Sequence, residues 1–256
     1  MSKRPSAVFI AITTVAGALL APGGEAGAGS PRPRAVVELF TSQGCGKCPP
    51  ADTLLTTLSA DPSLVTLSYA VDYWDYLGWK DTAAKPEFTR RQRAYAEVRG
   101  DHAVYTPQMV INGRVHVVGS DRAAVERAIA DQAHETPRPT VEVEAETTPD
   151  TLIVRIADAP ADLTVSRATV WLARYETTRS IPIRKGENSG RTVTYTHLVT
   201  TLQPIGMWKG KAVRIEMPRR DKTQDPGEGC AVLVQAESDD GPGPILGARV
   251  IARTGS

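Results

Sequence analysis

The chain has 256 residues, with 30 Lys and Arg against 29 Asp and Glu, a formal net charge of +1. A hydrophobic fraction of 41% supports a packed core and excludes global disorder. The charge balance argues against a nucleic-acid binder held by a basic face, and three cysteines are too few for a disulfide scaffold.

The chain opens on a candidate export signal. Lys3 and Arg4 precede an uncharged, mostly apolar run from Ala7 to Ala21, and Ala26-Gly27-Ala28 offers a small-residue cleavage site. This is the layout of a secretory signal peptide over residues 1–28. The alternative is a membrane anchor, but fifteen residues fall short of the ~18–20 that span a bilayer. The expectation is a secreted or periplasmic protein with no stable membrane anchor after cleavage, in a compartment where disulfides persist.

Residues 29–34 read as a Pro/Arg leader. From Ala35 to His134 strand-like and helix-like segments alternate, which predicts an α/β layer. Ala35–Phe40 is a β-rich run. Pro49–Ser59 has helical spacing through Leu54, Leu55 and Leu58, with prolines at its first turn. Leu64–Val71 is a second strand, and Glu87–Val98 a helix with Phe88 and Tyr95 on one face. Gln108–Ile111 and Arg114–Val118 flank Asn112-Gly113, a strong hairpin signal. Ser120 is placed to cap a last helix carrying Val125, Ala128 and Ile129.

Residues 135–139 look like a linker, since two prolines break any helix entering it. Beyond it the period becomes two. Val141, Val143 and Ala145 alternate with glutamates, and Leu152, Val154 and Ile156 alternate likewise. Further strand-like runs near 165–175, 191–201, 211–217, 230–236 and 245–252 predict an all-β, sandwich-like domain over 140–256.

The chemistry centres on Cys45-Gly46-Lys47-Cys48, between a strand and a helix. A helix N-terminus favours a thiolate at Cys45, and Lys47 adds positive charge between the sulfurs. Cys48, one helical turn on, is placed to resolve a mixed disulfide formed at Cys45. Half a zinc site is the competing reading, but no second cysteine pair exists. Copper on two thiolates is a more distant one. No metal or cofactor is expected.

The order strand, Cys-x-x-Cys helix, strand, helix, Thr106-Pro107, strand, Asn112-Gly113, strand, helix resembles the thioredoxin fold. More finely, VELFTSQGC and CPPAD (Val37–Asp52), VDYWDYLGWKD (Val71–Asp81), FTRRQRAYA (Phe88–Ala96) and VYTPQMVING (Val104–Gly113) resemble an uncharacterised family of secreted bacterial thioredoxin-like proteins. AVLVQ (Ala231–Gln235) and ILGAR (Ile245–Arg249) match it more loosely. The resemblance implies a thioredoxin-like domain over 35–134, a cis Pro107 facing the cysteines and Thr106 bordering them. The chain departs from that pattern at Gly46 and Lys47, where relatives carry serines, and at Ala70, where they often have His.

Glu38 lies near where thioredoxins bury an acid. It is either a buried carboxylate that takes the Cys48 proton or a strand glutamate facing solvent. Tyr73, Trp74, Tyr76 and Trp79 crowd beside Asp72, Asp75 and Asp81; Tyr73, Trp74 and Trp79 read as an apolar wall for substrate, or else as a secondary core under a long loop. Cys230, in an apolar strand-like run, reads as a buried, inert thiol. The reading is an extracytoplasmic thiol–disulfide oxidoreductase acting on protein or small-molecule thiols, with an unidentified redox partner. The alternative is a non-catalytic binding module with a structural Cys45–Cys48 disulfide.

Overall fold

A computed structural model describes residues 32–134, 139–165, 167–219 and 227–251. The expected signal peptide over 1–28 and the linker up to residue 138 lie outside these residues. In chain order the elements are β1 (Ala35–Thr41), α1 (Pro49–Ser59), β2 (Leu64–Ala70), α2 (Pro86–Arg99), β3 (Gln108–Ile111), β4 (Val115–Val118) and α3 (Arg122–His134). They continue as β5 (Val143–Thr147), β6 (Thr151–Ile156), β7 (Ala168–Pro182), β8 (Thr192–Trp208), β9 (Val213–Pro218), β10 (Glu228–Ser238) and β11 (Gly241–Ile251).

Near-continuous apolar runs make β1 and β2 central strands, buried along their whole length. They pair in parallel from Ala35↔Leu64 to Thr41↔Ala70, and β1 pairs antiparallel with β3 on its other edge. Asn112 and Gly113 both adopt positive φ, 51° and 68°, and close the β3–β4 hairpin as the sequence predicts. The cap of α3 is Asp121, whose Oδ1 accepts the Ala124 N–H at 3.0 Å, and not Ser120.

The expected α/β thioredoxin-like domain followed by an all-β sandwich is not what forms. The molecule is mostly β. One eight-stranded mixed sheet runs β11-β10-β7-β8-β2-β1-β3-β4, beside a three-stranded sheet β5-β6-β9, with three α-helices among the described residues. β8 meets β2 at Ser68↔Leu198, so strands from the second half extend the sheet of the first. A period of two identifies strands but carries no information about their partners. β7 and β8 span 15 and 17 residues, and β8 is long enough to pair with β7 and still reach β2.

Alternation along β1 separates two cores. Val37 and Leu39 pack with Ala51, Leu54 and Leu55 of α1 and with Val125 and Ile129 of α3. Val36 and Phe40 face the other way, onto Phe88 and Tyr95 of α2 and onto Tyr69. Leu54 and Leu55 each contribute about 1.5–3 kcal/mol by burial, which seats α1 against the sheet. The three-stranded sheet packs through Val143, Val154 and Ile156 against Val170, Leu172, Val232 and Val234 of the large one. Cys230 on β10 is half-buried against that second core rather than fully buried.

Candidate active site

The turn that follows β1 carries the cysteines. Cys45 N–H bonds to Ser42 O at 3.2 Å and Cys48 N–H to Cys45 O at 3.1 Å, which brings the two sulfurs together in a disulfide. Cys48 is the N-cap of α1 and already has helical dihedrals, with Pro49 and Pro50 filling the first turn. The pair therefore sits where the helix concentrates its positive end. Lys47, between the sulfurs, is exposed.

Both sulfurs are covered. Cys45 is 1% and Cys48 0% exposed, so the accessible first cysteine expected of a nucleophile is not present in this conformation. The tip of the β7–β8 hairpin, a strap over residues 184–190, is hydrogen-bonded to the cysteine turn. Asn188, itself buried, donates from Nδ2 to Gln43 O (3.0 Å) and Cys45 O (2.9 Å). Glu187 accepts the Gly46 N–H at 2.8 Å. A Cβ at position 46 would lie 2.7 Å from Glu187 Oε2, so a larger residue there would push the Glu187 carboxylate aside.

The aromatic segment braces the same turn. Trp79 Nε1 donates to Gln43 Oε1 (2.8 Å), and Gln43 N–H donates to the Asp81 carboxylate (2.7 Å). Trp74 Nε1 donates to Thr106 Oγ1 (2.7 Å), and its Cβ would stand 3.0 Å from a Cβ at Gly44. Tyr73 donates to Gln92 (3.1 Å). The polar ends of Tyr73, Trp74 and Trp79 thus tie the cysteine turn to α2 and to Thr106, while Tyr76 on the same segment is 80% exposed. The Thr106–Pro107 peptide is cis, and Pro107 packs near Ala51 of α1 and Leu39 across Gly119.

Glu38 lies elsewhere. It is buried on the α2 face of the sheet, where Arg91 Nε donates to it at 2.8 Å and Tyr95 OH at 2.6 Å. Burial works against the Arg91 charge, but the Glu38 carboxylate beside it prevails and holds the guanidinium pKa above its ordinary value. Helix α1 packs on the opposite face, so Glu38 is not placed to take a proton from Cys48.

The acid on the α1 face is Asp52. Its carboxyl oxygens are both buried without a hydrogen-bond partner, and burial pushes its pKa up to about 8. The Thr41 hydroxyl pulls the other way, and the Asp81 charge adds to the rise. The sequence carried a faint signal of this. Positions 48, 52 and 55 share one helical stripe, yet an acid in a first turn reads most simply as a partner of the helix dipole.

A folded pKa raised from 3.8 to about 8 has a definite sign. The stability contribution is fully present below the unfolded value and is lost as pH rises toward the folded one. Wild type should therefore lose about 1.4 kcal/mol per pH unit in that window relative to Asp52→Asn. Urea unfolding of both proteins at pH 5 and 7 checks this, and parallel curves would exclude it.

A family model described as a protein of unknown function, DUF1223, matches residues 36–235. The chain belongs to the DUF1223 family. A crystal structure of an Agrobacterium tumefaciens protein is 34% identical, covering 86% of this chain and 95% of that one, with a TM-score of 0.75. HBP35 of Porphyromonas gingivalis is 14% identical over 87% of this chain and 76% of that one, with a TM-score of 0.60, a likeness of fold alone. No curated protein matches the chain. The DUF1223 match contains the cysteine turn, Asp52 and the strap in one stretch. In this DUF1223 chain a groove of about 700 Å³ runs beside Pro49, between Thr53, Thr56 and Thr57 of α1 and residues Arg191–Thr194.

Proposed function

We propose that the protein is a thiol–disulfide oxidoreductase working outside the cytoplasm, with Cys45 as the reactive sulfur and Cys48 as the resolver. The observation that carries this reading is the joined pair at the N-terminus of α1, one helical turn from an unpartnered buried acid. The reduced Cys45 thiolate is favoured by the helix end and by Lys47. It attacks a substrate disulfide, that bond breaks, and one substrate sulfur leaves as a thiolate. Cys48 then attacks Cys45, the mixed disulfide breaks, and the substrate has gained two electrons. The reverse sequence oxidises a substrate dithiol.

Reaction requires the strap to lift, because both sulfurs are covered. The groove beside Pro49 then offers threonine hydroxyls and Arg191 to a protein segment, and exposed Tyr76 and Leu77 offer an apolar contact. The same burial favours a second reading, a binding module with a purely structural disulfide. Cys48→Ser separates the two. Mixed disulfides with protein or glutathione should accumulate on Cys45 of that variant. Labelling of Cys45 no greater than that of Cys230 would select the structural reading.

Export is supported by the charged, apolar and small-residue layout of residues 1–28. Mass spectrometry of protein produced in a bacterium should find a new N-terminus near Gly29. A membrane-bound product retaining Met1 would contradict it.

A further inference from the structure

We infer that Asp52 is the proton acceptor and donor for Cys48, an assignment that rests on the exchange reading above. Asp52 follows Cys48 by four residues, and its N–H donates to Cys48 O at 3.1 Å. Cys48 has helical dihedrals, so the two side chains share one face of α1. Both residues are buried, and both oxygens of the carboxyl are left without partners. An isolated buried carboxyl is costly, and a helix dipole role does not require burial.

Its surroundings suit proton exchange. The hydroxyls of Thr41, Ser68 and Tyr195 are also buried and unpartnered among the described residues. Thr41 pulls the Asp52 pKa down, and the Asp52 charge in turn raises that of Tyr195. Among the described residues the titratable groups that interact with Asp52 are Tyr195 from β8 and Asp81 from the segment before α2, with Cys48 at the N-cap of α1. Asp81 is committed to the N–H groups of Gln43, Ala83 and Ala84, and burial with the two neighbouring carboxylates drives the Tyr195 hydroxyl well above its ordinary pKa. Burial raises the Asp81 carboxyl as well, but three N–H donors hold it in place, whereas among the described residues no donor fixes the Asp52 carboxyl.

The step balances. When the mixed disulfide closes, the Asp52 carboxylate takes the proton of the Cys48 thiol, and Cys48 Sγ bonds to Cys45 Sγ. The bond from Cys45 to the substrate breaks, and the substrate leaves as a thiolate. Asp52 ends as the neutral acid, the form that its burial favours beside a closed disulfide. When the disulfide is opened by a substrate thiolate, Cys48 leaves as a thiolate and recovers that proton.

The test uses the full mature protein, reduced and then mixed with glutathione disulfide in a stopped-flow instrument. Formation of the Cys45–glutathione adduct should be unchanged in Asp52→Asn. Closure, read as release of the second glutathione, should slow by about 10²-fold, within the range for a lost general base. The pH dependence of closure should flatten in the variant. Closure at the wild-type rate with the wild-type pH profile would overturn the assignment. A second readout needs no variant. The ¹³C signal of one Asp carboxyl in wild type should titrate near neutral to alkaline pH and move when the pair is reduced chemically. A carboxyl signal indifferent to reduction would also overturn it. Absence of any wild-type adduct would instead count against the exchange reading, and the carboxyl signal would still decide the role of Asp52.

Discussion

Arg91→Ala should cost about 3–5 kcal/mol of folding free energy, among the largest effects of any single substitution here. Arg91 and Glu38 are both buried, and their 2.8 Å ion pair is completed by Tyr95, while Arg91 also donates to Gln235 on β10. Truncation leaves the Glu38 carboxylate buried with only the Tyr95 hydroxyl, which does not balance a charge. Replacing both partners by leucine should return part of the loss, since the uncompensated charge is then gone. Chemical denaturation of the single and double variants measures this. A single-variant loss below about 1 kcal/mol would mean that water reaches Glu38.

Asn188→Ala should raise the rate at which a small dithiol reduces the Cys45–Cys48 disulfide by roughly ten- to a hundredfold. The side chain satisfies two backbone carbonyls of the cysteine turn, at Gln43 and Cys45, and its own Oδ1 accepts from Arg191 at 3.3 Å. Leaving the carbonyls unpaired under a closed strap costs about 1–3 kcal/mol. At about 1.4 kcal/mol per tenfold, that cost becomes a larger open population. Reduction then follows that population, provided that opening is fast compared with attack. An unchanged rate would show that the strap is not what shields the sulfurs.

The strands and helices were largely legible from periodicity, because a half-buried or buried element imposes its spacing on the residues that form it. Pro49–Ser59 and the Asn112-Gly113 turn are examples in which local chemistry alone decides the outcome. The sheet was not legible. Whether β8 closes on its own half or docks at Ser68 depends on pairing between residues far apart in sequence, and no local pattern encodes it. The same holds for the site. Cys45 and Cys48 announce themselves by spacing, whereas Asn188 and Glu187 reach the cysteine turn only because the β7–β8 hairpin is long. The reading of Glu38 as the acid beside Cys48 missed for a related reason, and Asp52 went unnoticed. Both are acids near the cysteines in sequence, but alternation along β1 puts Glu38 on the far face, where Arg91 meets it.

A thiol-trapping titration of the mature protein across graded dithiol/disulfide buffers tests the central claim most directly. On the proposed reading, a helix N-terminus and a neighbouring Lys47 stabilise the thiolate and so favour the reduced form. The account predicts reversible interconversion of Cys45 and Cys48 with a midpoint above about −300 mV, where glutathione-type buffers can move it. A disulfide that stays closed until the midpoint falls well below that, or that opens only when the protein unfolds, would contradict it.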